Sequence, residues 1–334
     1  MRPVIDFHCD LLSYLMRDPA RTANDAEVLG CAIPHLKEGS VKVQVCAIYA
    51  DVVPESAEQG QQQASIFAEL PSQYAGDFYH ATGLSDWSQA AKQEGVAVIA
   101  ALEGATTIAN EKQSLASAIQ NLDRILDKVG RLAYISLTHH KRNRFGGGNY
   151  EPGPVTQEGK VLLDAMVERG IPLCLSHSSD ALAHTALEYL DQQGYHLPIL
   201  ASHSNYRSIL EEPRNLPDDL VRVLDQRQGV IGLNMLRKFM HPTDPEGVFE
   251  HVAHAHALGT QHRVVMGADY FYTGDMPAEA RAIREPFYLE PHADARFYPG
   301  FLDALAQRHS EAFARGVAWD HGLDWLERSV PLDV

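Results

Sequence analysis

The chain has 334 residues, of which 45% are hydrophobic, and its 44 acidic and 28 basic residues give a formal net charge of −16. A surface this acidic repels nucleic acids and anionic membranes, so neither is expected as a partner. The sequence shows no signal peptide, no apolar stretch of transmembrane length and no paired cysteine spacing, so we expect a cytoplasmic, reduced protein.

Eight short apolar segments, rich in β-branched residues, predict strands along the whole chain. Most are hydrophobic throughout, which is typical of strands buried on both faces of a parallel sheet. The predicted strands cover residues 4–8, 41–49, 96–102, 132–137, 171–176, 197–201, 230–234 and 263–267.

Amphipathic helix patterns separate these strands. Thr156 caps an apolar stripe that ends at Gly170, acidic residues follow Pro217, and residues 246–258 form a further stripe ended by a glycine. Alternating strands and helices predict a parallel α/β fold. Eight such units predict a (β/α)8 TIM-like barrel, with residues 1–334 forming a single domain. An open doubly wound sheet is the alternative, but the first strand lacks the glycine-rich turn that usually binds a nucleotide there.

Six of the eight predicted strands end on side chains that can bind a metal ion or transfer a proton. In a TIM barrel the active site lies at the carboxyl ends of the strands, so we expect these side chains to converge. Each alone fits a structural role, such as a turn aspartate or a rim histidine. Together they favour a metal site, because charged groups are costly to bury without a partner. The side chains are His8 with Asp10, Glu103, His139 with His140, His177, His203 and Asp269.

The motifs that carry these residues resemble, in combination, the membrane (renal-type) dipeptidase family, peptidase family M19, of the amidohydrolase superfamily. The resemblance extends from about residue 4 to residue 330. It rests on six steps of the chain: His8-Cys9-Asp10-Leu11, Glu103-Gly104, Leu137-Thr138-His139, Leu175-Ser176-His177, Ser202-His203-Ser204 and Arg214-Asn215-Leu216-Pro217-Asp218-Asp219.

The resemblance implies a metal-dependent dipeptidase with two zinc ions per chain. Glu103 would bridge the ions, with His8 and Asp10 completing one site and His177 and His203 the other. A hydroxide shared by the two ions would attack small dipeptides, among them those with a C-terminal D-residue.

Three further roles follow from the resemblance. Asp269, free of metal, would transfer the proton, and His139 would polarise the carbonyl and stabilise the oxyanion. Arg214 would bind the substrate's C-terminal carboxylate, although a loop ion pair with Glu211 or Glu212 is the structural alternative. A homodimer is a further expectation, since dimers are common in this family.

Several departures from the family pattern border the expected substrate pocket. The last strand is followed by Asp269-Tyr270-Phe271-Tyr272 instead of Asp-Phe-Asp-Gly, and His140 replaces a frequent asparagine. Residues 271–298 form either a lid over the barrel mouth or a long surface loop. The substrate therefore stays open: another small amide, a lactam or an ester is the alternative to a dipeptide. A non-catalytic metal-binding protein is less consistent with the presence of Asp269 and His139.

Overall fold

A computed structural model, which describes residues 1–332, contains nine parallel strands in one sheet. Their bounds are β1 Val4–Cys9, β2 Val41–Tyr49, β3 Phe78–His80, β4 Val96–Glu103, β5 Leu132–Ser136, β6 Leu173–Cys174, β7 Ile199–Leu200, β8 Ile231–Leu233 and β9 Val264–Met266. Eight of them follow one another in the order β7-β6-β5-β4-β2-β1-β9-β8. A bridge between Ala201 and Ile231 joins β7 to β8, so the sheet is a nearly closed barrel. The predicted (β/α)8 TIM-like fold is confirmed.

All eight predicted strands lie in this ring, and one short strand was not predicted. β3 has only three residues and pairs with β4 outside the ring, so it lacks the continuous apolar pattern of the barrel strands. β6 is much shorter than the predicted residues 171–176. Pro172 has no N–H to donate, and its carbonyl accepts a single bond from Ile135 at 3.0 Å.

Helices cover the outside of the ring. The helix predicted after Thr156 is confirmed: the Thr156 hydroxyl accepts a hydrogen bond from the Gly159 N–H at 3.0 Å. The α-helices are α1 Leu11–Arg17, α2 Ile33–Glu38, α3 Ser56–Gln73, α4 Leu115–Val129, α5 Gln157–Glu168, α6 Asp180–Gln193, α7 Asp218–Gln226, α8 Arg237–Met240, α9 Gly247–Leu258, α10 Ala278–Arg284, α11 Phe297–Arg308, α12 Glu311–Arg315 and α13 His321–Ser329. Within residues 1–332, none of these helices has the length and hydropathy needed to cross a membrane.

The two ends of the chain meet at β1. Asp6 is fully buried and accepts hydrogen bonds from the N–H groups of His8 and Ala268 and from the hydroxyl of Tyr298 on α11. The ring of Phe7 packs edge-on against Trp325 of α13, with 5.7 Å between the ring centroids. All six residues of β1 are buried, as expected for a strand covered on both faces.

The expectation of one domain over residues 1–334 stays a prediction, and its last two residues lie outside the described part of the chain. The four cysteines are free and buried, as a reduced protein requires.

Candidate metal centre

The five side chains predicted to bind metal, and Asp269 as the predicted proton carrier, meet at the carboxyl ends of the barrel strands. Each has at most 6% of its surface exposed. His8 lies near the end of β1, Glu103 is the last residue of β4, and the others lie in the turns that follow β1, β6, β7 and β9. The set is His8, Asp10, Glu103, His177, His203 and Asp269.

One carboxylate oxygen stands at the centre of the cluster. Oε1 of Glu103 lies 2.8 Å from Nε2 of His177, 3.1 Å from Nε2 of His203 and 3.4 Å from Nε2 of His8. The Nε2 atoms of His177 and His203 are 3.0 Å apart. One carboxylate among three imidazoles is a set of ligands that two metal ions could share.

Neighbouring side chains orient two of these imidazoles. The Tyr134 hydroxyl donates to the Phe7 carbonyl at 3.0 Å, so its oxygen accepts the Nδ1 proton of His8 at 2.7 Å. His8 therefore presents a lone pair at Nε2 toward Glu103. In the same way Nδ1 of His203 is bonded to the Ser202 hydroxyl at 2.7 Å, which leaves Nε2 for the cluster.

Two carboxylates complete the cluster on the His8 side. Oδ2 of Asp10 lies 3.9 Å and Oδ1 of Asp269 lies 3.7 Å from Nε2 of His8. The Asn234 amide donates to Oδ2 of Asp269 at 2.8 Å and fixes its orientation. His8, Asp10 and Asp269 together could hold a metal ion, so the geometry also permits Asp269 as a ligand.

The cluster contains buried polar atoms that form no hydrogen bond with the rest of the described chain. Nε2 of His8, Oδ1 of Asp10 and Nδ1 of His177 are buried without a hydrogen-bond partner. Leaving such atoms unpaired costs about 1–3 kcal/mol each. A divalent cation would satisfy the first two, and a set of nitrogen and oxygen ligands suits zinc or a similar ion. The residues therefore fit the metal that the sequence predicted.

Burial controls the electrostatics of the cluster. It raises the pKa of Glu103, Asp10 and Asp269, and the mutual repulsion of these carboxyl groups adds to the effect for the two aspartates. It lowers the pKa of His177 and His203 well below the usual range. Burial therefore moves these acids and these two histidines toward their neutral forms, whereas a bound divalent ion requires ionised carboxylates and neutral imidazoles.

His139 and His140 flank the cluster on the His177 side. The His139 ring centroid lies 4.2 Å from that of His177 and 4.6 Å from that of Tyr49. Burial lowers the pKa of His139 well below its usual value, so the ring is neutral and offers one N–H. His139, His140 and His177 also form a group that could hold a metal ion.

Arg214 is buried beside the cluster, with 3% of its surface exposed. Its two terminal nitrogens donate to the Ser204 hydroxyl and to the His203 carbonyl, both at 2.8 Å. Its Nε has no partner. Within residues 1–332 it forms no ion pair with Glu211 or Glu212, and Glu212 instead accepts from the Tyr150 hydroxyl at 2.7 Å.

A cavity of about 940 Å³ opens above the strand ends. Asp10, Glu103, His139, His177 and Asp269 lie in its wall. The segment of residues 271–298, including α10, contributes a side of this cavity, so it borders the cluster and is not a distant surface loop. Its lining residues are Phe271, Tyr272, Asp275, Met276, Pro277, Ile283, Arg284 and Phe287.

Sequence reasoning missed the residues that orient the cluster. Asn234 stands at the end of a predicted strand, and its amide at that position was the available signal. Tyr134 lies in the middle of β5, where an aromatic residue is ordinary for a strand. Only its contact with His8, 126 residues away in the chain, shows its role.

The chain is similar to known dipeptidases in sequence and in fold. The profile of the membrane dipeptidase family, peptidase family M19, matches residues 1–323. The dipeptidase verJ of Clonostachys rogersoniana is 29% identical over 230 residues, which are 66% of this chain and 55% of that protein. The chain thus spans about half the length of that relative.

Two solved structures have the same fold. A metallopeptidase of Rhodobacter sphaeroides, bound to a phosphinate mimic of the dipeptide L-Ala-D-Ala, superposes with a TM-score of 0.79 at 20% identity, covering 98% of this chain and 99% of its own. The dipeptidase AC, a metallopeptidase of family M19, gives a TM-score of 0.80 at 20% identity with the same coverage.

Proposed function

The chain belongs to the membrane dipeptidase family, peptidase family M19, and we propose that it hydrolyses small dipeptides at a centre of two divalent metal ions. The observation that carries this proposal is the position of Glu103 Oε1, within 3.4 Å of three imidazole nitrogens. The match to a phosphinate-bound peptidase of the same fold supports a peptide-like substrate. Zinc is the proposed metal, by the chemistry of the ligands.

Five side chains would hold the ions. His8 and Asp10 belong to one, His177 and His203 to the other, and Glu103 to both. The ions would supply Lewis-acid activation of water and of the scissile carbonyl. The chain's own contribution is to fix these ligands in a buried setting, where Tyr134 and Ser202 hold the outer nitrogens of two histidines.

Asp269 is the proposed acid and base. One of its oxygens is held by Asn234, and the other faces the cluster, free to take a proton from water and return it to the leaving amine. Burial raises its pKa toward neutrality, which suits a group that must both accept and donate a proton.

His139 and Arg214 are the proposed substrate contacts. A neutral His139 can donate one N–H to the carbonyl oxygen as negative charge develops on it. Arg214 uses two of its five donors within the protein, so donors remain for the substrate's carboxylate. His139 lines the cavity, whereas Arg214 is buried beside the metal ligand His203.

The test combines metal analysis with a substrate panel. Purified protein is expected to contain two metal equivalents and to hydrolyse L,L- or L,D-dipeptides but not N-acetylated ones. Turnover of lactams or esters without dipeptide turnover would favour the alternative hydrolase. Stoichiometric metal with no turnover of any amide or ester would make the protein a metal binder without this activity.

A further inference from the structure

The wall of the cavity above the metal ligands carries both acidic and basic groups. Three strands separate β2 from β7 in either direction around the ring, so the loops after these strands face each other across the barrel mouth. The loop after β2 places Asp51 in the cavity wall, where it accepts from the Tyr49 hydroxyl at 2.9 Å. The loop after β7 carries Arg214.

Two more cations lie on the Arg214 side. Lys238, in α8 after β8, and Arg284, at the end of α10, both line the cavity and are exposed to it. The Lys238 ammonium and the Arg214 guanidinium each lie 5.6 Å from the centre of the Phe239 ring, so both pack against this side chain. Lys238 is held in place by the Tyr150 hydroxyl, to which its Nζ donates at 2.6 Å.

These cations converge on one part of the cavity. Lys238 Nζ lies 4.5 Å from the centre of the Tyr150 ring. Burial raises the pKa of Tyr150, and the positive charges of Arg214 and Arg284 oppose this shift, so both guanidinium groups act on the same ring. The His140 ring lies beside Tyr150, with ring centroids 4.9 Å apart. The three charges therefore surround the His140–Tyr150 corner of the cavity.

Several acids of the described chain stand near these charges, but none pairs with Arg284. Glu151 lines the cavity next to Tyr150, whereas Glu212 accepts from Tyr150 and lies 3.9 Å from Lys238 without lining the cavity. The charge of Arg214 is offset by Glu103 and Asp269 of the metal cluster. Among residues 1–332, Arg284 forms no ion pair; its guanidinium contacts only the Met276 sulfur, at 4.0 Å. A basic corner with an unpaired arginine in a concave site attracts anions, and it stands out in a chain with a net charge of −16.

We propose that Lys238 and Arg284 form a subsite for a carboxylate side chain, so that the preferred substrates are dipeptides with a C-terminal aspartate or glutamate. The inference rests on the proposed dipeptidase function and names its substrate class. The charges of the cavity set the orientation of the bound dipeptide. Its free α-ammonium group lies toward Asp51, and both carboxylates of its C-terminal residue lie toward Arg214 and the basic corner.

The first test uses the native, metal-loaded enzyme and pairs of substrates that differ only in charge. Ala-Glu is compared with Ala-Gln, and Ala-Asp with Ala-Asn, with the second residue in both L and D forms. We expect kcat/KM to be about tenfold or more higher for the acid, the scale of one charge-assisted hydrogen bond. The preference is expected to shrink as salt is added, and Glu-Ala is not expected to share it.

The second test uses variants. Lys238→Met and Arg284→Met are each expected to move the acid-to-amide ratio toward one. Lys112→Met, at an exposed lysine outside the cavity, is expected to leave the ratio unchanged. Equal kcat/KM for Ala-Glu and Ala-Gln in the native enzyme would overturn the acidic subsite and leave the dipeptidase function standing. Failure to cleave any dipeptide would overturn both, and the native substrate pairs decide the question even where a variant does not fold.

Discussion

Asp269 and His177 both adopt left-handed backbone conformations, with φ angles of 65° and 68°. Such angles are uncommon for residues other than glycine, and they persist where the surrounding structure enforces them. Both residues come just after a strand, and both side chains reach the metal cluster. Two of the four residues other than glycine with a positive φ among residues 1–332 therefore lie at the proposed metal centre.

The role of Asp269 can be tested with Asp269→Asn. The variant keeps a side chain of similar size but cannot act as a base, so kcat is expected to fall by roughly 10²-fold or more. Both metal equivalents are expected to remain, measured by elemental analysis beside the activity assay. Loss of one equivalent would show that Asp269 is a ligand, as its distance of 3.7 Å from His8 Nε2 also permits.

Glu103→Gln tests the proposed bridge. Glutamine preserves the shape of the side chain but removes its charge, so both ions lose a ligand and the measured metal content is expected to fall together with turnover. Glu94→Gln, at an exposed acid outside the cavity, is the matched control. Retention of two equivalents and of activity in Glu103→Gln would contradict a bridging role.

Arg214→Lys tests recognition of the substrate's C-terminus. A lysine ammonium cannot reproduce the planar fork of a guanidinium, so KM for dipeptides with a free carboxylate is expected to rise by roughly tenfold. Dipeptides with an amidated C-terminus are expected to be poor substrates of both enzymes and to lose little more. Equal losses for the two substrate types would mean that Arg214 acts by holding His203 and Ser204 in place.

At the scale of elements, the strands carried most of the predictable information. Buried parallel strands are apolar throughout, and each site residue stands at or just after the end of such a segment. His8, Glu103 and Asp269 could therefore be placed at one rim from the sequence. The contacts between elements could not be predicted in this way. The lysine on α8 and the arginine on α10 belong to separate segments, and only the fold brings them to the same corner.

One helix gives a prediction of pH dependence. His251 of α9 is fully buried; its Nδ1 accepts from the Tyr206 N–H at 3.2 Å, and its Nε2 donates to the Met240 carbonyl at 2.8 Å. Burial lowers its pKa to about 4. The unfolded chain takes up this proton near pH 6.5, so the free energy of unfolding is expected to fall as the pH drops from 6.5 toward 4, by at most about 3 kcal/mol for this residue.

Urea unfolding at pH 7.5 and pH 5 measures this effect. His251→Gln removes the titrating group, so the difference in unfolding free energy between the two pH values is expected to be smaller in the variant than in the native protein. An identical difference in both proteins would show that acid acts through other groups.

At the scale of the whole molecule, the proposed ions join distant parts of the chain, because the ligands range from residue 8 to residue 203. A ligand that binds the folded state alone stabilises it by mass action. Removing the metal with a chelator is therefore expected to lower the Tm by roughly 5–10 °C. Adding back zinc is expected to restore it, as scanning calorimetry can show. An unchanged Tm after proven metal removal would contradict this structural contribution.

The contacts of β1 with the end of the chain also bear on how the protein is made. Asp6 accepts a hydrogen bond from Tyr298, and Phe7 packs against Trp325. Strand β1 therefore completes its contacts only with residues that lie far along the chain. During synthesis His8 emerges well before Tyr298 and Trp325, so the strand that presents it lacks these contacts until they are made. The proposed metal centre is therefore expected to assemble late, after residues 298 and 325 have left the ribosome.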